Sequence, residues 1–336
     1  MLKNKTFLFL LLILVCGLLF VPFFFTKFEK KYKSYQKKTL KAKWILEIED
    51  FENFTEISKK INHLNQSQAI NYLNADKYFW QEKTEIVSVD EHLKSELDML
   101  VFSWNDYLLK VVKQNIFQIY FVKNMQSTAK ITQLNPQLFA IFINENILQK
   151  TPNEWFNEKE KSIINFNNSN FFIKHIIADE NNNNSIKLLE IILIHELGHC
   201  IGILNNITPD LEGHFNDNTH LDFFKDEFEI NDLSFKKKNK NIPQLKYYSQ
   251  QKIDIEAYID LLKLLPSTTF PSVYSTVNYL EYFAEYFFTY VHCVEHKLPY
   301  KYQIFQNDEL MLTLENGIHL SSNKKKKDFV KAILKQ

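Results

Sequence analysis

The stretch "LLEIILIHELGHCIGILNN", Leu188 to Asn206, sets His195 and His199 four positions apart, with Glu196 directly after the first, inside an almost unbroken apolar run. Residues i and i+4 of a helix share a face, so both imidazoles would meet at one point within reach of a zinc ion. Glu196 lies beside that point. This is the HExxH pattern, in which two histidines hold Zn2+ and the glutamate acts as base toward a water that the metal activates. Without a cation the arrangement is costly, because neighbouring polar side chains buried without partners forfeit several kcal/mol.

A catalytic zinc needs a third protein ligand and an open position for water. Three arrangements compete for that role. In a metzincin pattern, HExxHxxGxxH, Gly202 fits, but Asn205 stands where the third histidine belongs, and Met311 is the sole methionine downstream for a Met-turn. Alternatively, "HCVEH", His292 to His296, is itself an inverted motif with Glu295 as base. The third arrangement lies in "YSTVNYLEYFAEYF", where Glu281 and Glu285 share a face of a strongly apolar helix. One carboxylate there can bind zinc while the other orients a ligand histidine through its second ring nitrogen.

"HELGH" followed downstream by "YSTVNYLEYFAEYF" resembles the catalytic domain of anthrax lethal factor and its relatives, including the clostridial Pro-Pro endopeptidases. In that family a tyrosine stands seven residues before the zinc-binding glutamate and an alanine-glutamate pair follows shortly after, a spacing matched by Tyr274, Glu281, Ala284 and Glu285. The resemblance spans about Glu91 to the C-terminus and is specific in the two motifs. It implies a zincin-like (gluzincin) metallopeptidase with His195, His199 and Glu281 as zinc ligands, Glu196 as base and Tyr274 as donor to the developing oxyanion. Glu285 would stand behind a ligand histidine, and the substrate would be a protein or peptide. The segment between His199 and Glu281 is longer than in the family, and Cys200 and Gly202 replace residues expected to differ. Those departures bear on the substrate groove rather than on the metal.

These residues need a fold to hold them, and 336 residues at 45% apolar can bury a sizeable core. Basic and acidic residues balance at 40 each and arginine is absent. A neutral chain without guanidinium groups excludes nucleic acid as the expected partner. Leu93, Leu97, Leu100, Val101, Trp104, Leu108, Val111 and Val112 recur at helical spacing and predict a core-facing helix between Glu91 and Lys113. "IFQIYFV" (Ile116 to Val122), "LFAIFI" from Leu138 and "FFIKHIIA" from Phe171 read as strands. A helix begins at Ser185, capped by Asn184 or Ser185, and ends around Gly202, Asn205 and Asn206; another runs from about Thr276 and stops before Pro299. The expected fold is α+β, with the two motif helices packed under a small sheet. Its parts are a membrane anchor or uncleaved signal over 1–26, a basic neck and helical region over 27–90, and the metallopeptidase domain over 91–320. That domain carries an insertion at about 205–270, and a solvated lysine-rich tail follows over 321–336.

Phe7 to Phe25 is apolar apart from Gly17 and Pro22, long enough to cross a bilayer, and lacks a small-residue cleavage site. The expected protein is therefore single-pass. Lys3 and Lys5 precede the span, whereas Lys27, Lys30, Lys31, Lys33, Lys37, Lys38, Lys41 and Lys43 follow it, which by the positive-inside rule leaves the body in the cytoplasm. The family resemblance favours an extracytoplasmic catalytic domain, or a secreted one if the span is removed. Cys200 and Cys293, the two cysteines outside the span, are too few for a disulfide framework. The sequence thus predicts a membrane-anchored zinc-dependent endopeptidase. Its rivals are a catalytically silent zinc-containing surface or binding protein and a metzincin-type hydrolase. Glu196 argues against the silent protein, since a structural zinc has no use for a base.

Overall fold

The computed structural model describes Lys60 and residues 85–336, apart from 167–168, 212, 215–219 and 232–233. The apolar segment Phe7 to Phe25 and nearly all of the 27–90 neck lie outside the described residues. Among the described residues no helix is long and apolar enough to cross a membrane.

After β1 (Glu85–Val87), the helix expected between Glu91 and Lys113 is two helices, α1 (Glu91–Phe102) and α2 (Asp106–Asn115). The break is local chemistry. The Asn105 side chain accepts from the Leu108 backbone N–H at 2.9 Å and so caps a new helix. Trp104, at the break, turns inward and donates from Nε1 to Glu190 Oε1 at 3.0 Å. There follow β2 (Ile116–Lys123), β3 (Ala129–Asn135) and β4 (Leu138–Asn144), which join β1 in a four-stranded sheet ordered β1-β2-β4-β3. β2 and β4 are parallel, and the two outer strands are antiparallel to their neighbours. β2 is buried along all but its last residue, which is why "IFQIYFV" is apolar without alternation. The edge strand β3 was not apparent from its mixed composition; the Asn135 side chain, accepting from the Gln137 and Leu138 backbone at 2.8 Å each, turns it back into β4.

Next come α3 (Pro152–Lys161), opened by a Thr151–Glu154 capping box with Pro in its first turn, then the short strands β5 (Ile164–Asn165) and β6 (Phe171–Ile176). α4 (Ser185–Leu204) is buried on nearly all sides, as its continuous apolar sequence requires. Of the residues expected to end it, Gly202 lies inside the helix while Asn205 caps it, with Asn206 in the left-handed region at φ 53°. The 205–270 segment folds on the same compact unit. It forms the hairpin β7 (Phe228–Asn231) and β8 (Ser234–Lys237), then β9 (Ile253–Asp254), which pairs with β5, and α5 (Ile255–Leu264).

α6 (Tyr279–Tyr290) is capped by Asn278, which accepts from the backbone of Leu280 and Glu281, and it passes into one π-helical turn, Val291–Glu295. β10 (Lys301–Gln306) and β11 (Glu309–Glu315) complete a three-stranded sheet ordered β11-β10-β6. The lysine run is not a solvated tail: it opens α7 (Lys324–Ile333), whose Val330 and Ile333 are buried. Lys326 is buried too, paired with Asp226 at 3.0 Å and donating to the Phe223 carbonyl. The architecture is α+β, with several small sheets around the α4–α6 pair.

α4 and α6 meet closely at one point. A Cβ added to Gly198 would stand 2.9 Å from the Ala284 Cα and 3.0 Å from its carbonyl oxygen, so only glycine permits this approach. The residues on either side of that contact are the ones with chemistry.

Candidate metal centre

His195 and His199 lie on the face of α4 that meets α6, and Glu281 lies in the first turn of α6. Their donor atoms all lie within 4.8 Å of one another. Glu281 Oε2 stands 3.2 Å from His195 Nε2 and 3.6 Å from His199 Nε2. Bonds of about 2.0–2.2 Å to a tetrahedral zinc would separate any two donors by about 3.4 Å. The observed separations bracket that value, and two imidazoles with one carboxylate form a donor set that suits zinc. The geometry and chemistry of the group both fit a zinc ion.

A second ring of partners holds these ligands. Glu285, one turn beyond Glu281 and 3% exposed, places Oε2 3.2 Å from His195 Nδ1. Its Oε1 accepts from Ser272 Oγ at 2.8 Å and the Tyr300 hydroxyl at 3.1 Å. With Nδ1 bonded to Glu285, His195 is left with Nε2 aimed at the three-donor point, which fixes both its tautomer and its ring plane. Burial alone would disfavour a charged His195, but hydrogen bonds to Glu281 and Glu285 and their charges outweigh it and raise the ring to about 10. Burial would likewise raise Glu281, yet the His199 charge and the histidine hydrogen bonds hold it well below the usual carboxylate range. Until a metal binds, the group is an ion pair.

Glu196 is 6% exposed, and burial raises its carboxyl despite the neighbouring histidines. Tyr274 sits in a 3-10 turn before α6, its ring 5.8 Å from that of His195. Burial pushes its phenol well above the ordinary value, so it is a donor at neutral pH. Neither the Glu196 carboxylate nor the Tyr274 hydroxyl is hydrogen-bonded to another described residue. Both line a cleft of about 260 Å³.

The structure thus brings His195, Glu196, His199, Tyr274, Glu281 and Glu285 together. Asn205 is elsewhere. Its side chain donates to the Tyr107 hydroxyl at 2.8 Å and to the Ile201 carbonyl at 2.9 Å, so the metzincin arrangement has no third ligand at that position. The "HCVEH" pair is also apart from the centre: His292 Nε2 faces the carbonyls of Ile177 at 2.7 Å and Pro299 at 3.1 Å.

Several cleft residues were not singled out by the sequence. Trp155 and Lys159 come from α3, Tyr247 and Tyr248 from the 205–270 segment, and Tyr300 from the turn before β10. The capping box announces α3 but not which of its faces meets the cleft. Glu160, 1% exposed beside Lys159, accepts from Tyr247 and Tyr258 and is raised to about 7 by its burial. Such long-range partners leave no local pattern. Compared with protein-family models, with curated proteins and with solved structures, the chain finds no match in any of the three.

Proposed function

We infer that this chain is a zinc-dependent endopeptidase of the zincin-like, gluzincin type related to the lethal factor-like enzymes. The observation that carries the reading is the pair of unbonded groups, the Glu196 carboxylate and the Tyr274 hydroxyl, that share one cleft with His195 of the three-donor group. A zinc that only stapled the fold would need neither.

In this reading His195, His199 and Glu281 hold the zinc, which when bound supplies Lewis acidity and makes water a competent nucleophile near neutral pH. Glu285, Ser272 and Tyr300 keep the His195 ring in place. Glu196 takes a proton from the attacking water at its carboxylate and passes it to the leaving amine. Its raised basicity, a result of burial, suits that task. Tyr274 donates its phenolic hydrogen to the oxygen of the scissile carbonyl as negative charge gathers there, a contribution of about 3 kcal/mol in comparable sites. β3, the edge strand that begins at the cleft wall with Ala129, is the strand beside which an extended peptide would lie.

Phe7 to Phe25 anchors the chain in a membrane, and the catalytic part faces the extracytoplasmic side; protection of the C-terminus from added protease in intact cells would place it in the cytoplasm instead. The mechanism is tested on the full-length protein by metal analysis and by hydrolysis of an unbiased peptide library. One zinc per chain and cleavage that a chelator stops and zinc restores are expected. Cleavage indifferent to chelator would overturn the metallopeptidase reading.

A further inference from the structure

Lys159 on α3 is 7% exposed, and its Nζ stands 3.4 Å from the centroid of the Tyr274 ring, 5.0 Å from that of Trp155 and 5.7 Å from that of Tyr247. All four side chains line the cleft. Aromatic faces stabilise a cation but leave its hydrogen-bond donors unused. An ammonium has three donors, and among the described residues none of those of Lys159 meets an oxygen. Lys326 shows what a buried structural lysine does in the same protein: it pairs with Asp226 at 3.0 Å and donates to a carbonyl. Lys159 has no equivalent.

Three carboxylates sense its charge, those of Glu160, Glu196 and Glu285. Each has another engagement. Glu160 accepts from Tyr247 and Tyr258, Glu285 holds His195, and Glu196 faces the three-donor group. With a dication in that group, Glu196, Glu281, Glu285 and Lys159 sum to zero charge, which leaves Glu160, buried and bonded to two tyrosines, as the remaining acidic group beside Lys159. The Tyr274 ring spans the gap, 5.8 Å from the His195 ring on one side and 3.4 Å from the Lys159 Nζ on the other. An extended peptide advances about 3.4 Å per residue, so a group lying on Lys159 belongs to one of the residues closest to the scissile bond.

We propose that Lys159, walled by Trp155, Tyr247 and Tyr274, is a subsite for a substrate carboxylate beside the scissile bond. The proposal rests on the peptidase reading and adds its specificity. The carboxylate is either an Asp or Glu side chain or the free C-terminus of the peptide, and the two sources are separable.

The test uses short acetylated peptides in pairs, with Glu or Gln scanned through each position and with a free or amidated C-terminus. Binding to the zinc-loaded, full-length Glu196→Gln protein is measured by calorimetry, and kcat/KM is measured with the wild type. One member of one series should exceed its neutral twin by at least about tenfold, the effect of a charge-assisted bond. The Glu/Gln series showing it identifies a side-chain carboxylate; the free/amide series identifies the terminus. Lys159→Met should bring the ratio to about one and Lys159→Arg should preserve it, a comparison that cancels any general loss of folding or activity. Paired peptides that bind alike, or a ratio unmoved by Lys159→Met, overturn the subsite and leave the peptidase standing. A carboxylate preference in binding without chelator-sensitive cleavage would overturn the peptidase and leave the subsite.

Discussion

Two segments of this chain carry the same spacing: "HELGH" at His195 to His199 and "HCVEH" at His292 to His296 each set two histidines four apart with a glutamate between. Only the first has donors that converge on one point. α6 lays Glu281 and Glu285 against His195, so one ring nitrogen is occupied from behind and the other is presented forward. In the second segment, His292 Nε2 faces two backbone carbonyls, His296 Nδ1 stands 3.7 Å from Glu190, and Glu295 is exposed. There the histidines close a π-helical turn and the chain that follows it. Motif spacing states which groups can converge; the partners brought from elsewhere in the chain decide whether they do.

The strongest way to break this contrast is to remove the proposed bases. Glu196→Gln should lower kcat by about 10²–10⁴-fold, the usual contribution of a positioned acid or base, while zinc content stays at one per chain. Glu295→Gln should leave both unchanged. Tyr274→Phe should lower kcat by about 10²-fold, with little change in peptide binding, because the phenol acts on charge that exists only in the transition state. Equal activity of Glu196→Gln and wild type in a peptide-hydrolysis assay would remove the distinction between the two segments.

Metal affinity sharpens the same contrast with smaller steps. Glu281→Ala deletes a proposed ligand and should weaken zinc more than Glu285→Ala, for which about 10–100-fold is the ordinary cost of losing a ligand's outer partner. His296→Ala should leave the affinity as it was. Competition with a chromogenic chelator measures all three, and a Glu281→Ala protein that binds zinc like wild type would show the third ligand to be elsewhere.

The core of the site was legible because α4 and α6 each carry their chemistry at one-turn spacing on an apolar background. Polar residues at i and i+4 stand out there against Leu, Ile and Phe. The fold was legible where β-branched and aromatic residues were concentrated, as in β2 and β4, and illegible where local capping overrode a helical period, as at Asn105, which split a periodic stretch into two helices. β3 was missed because the strand is as polar as a loop, and α7 because four consecutive lysines read as solvent-facing although Lys326 is tied to Asp226. Gly198 illustrates the deeper limit. Nothing in "HELGH" says that its glycine is where a second helix touches, yet a side chain there, whose Cβ would stand 2.9 Å from the Ala284 Cα, would push the carboxylates of α6 away from the histidines. Lys159 and Tyr247 belong to the same class, since their roles depend on partners far along the chain.

Acid should act on the two histidine segments in opposite directions. His195 is raised to about 10 in the metal-free protein by Glu281 and Glu285. Its charged form therefore contributes stability that is fully present below the ordinary histidine value and is lost as pH climbs through 10. His292 is lowered to about 4 by burial, as His175 is to about 3, so both are neutral in the fold and take up protons when it unfolds. Each of them contributes stability present above about 6.5, and each pH unit below that removes about 1.4 kcal/mol until the folded ring itself titrates. Urea unfolding of the chelator-treated protein should accordingly be weakest at the two extremes and strongest between them, and His292→Gln should flatten the acid limb while leaving the alkaline one. Zinc reverses the sign for His195 alone. A ligand imidazole must be neutral, so binding expels its proton, and the apparent zinc affinity should rise with pH by about tenfold per unit until the ring is deprotonated without help. An affinity flat across the neutral range would mean that the Glu281–His195–Glu285 row does not hold a proton in the metal-free protein, and the likeness between the proton's place and the metal's would be lost.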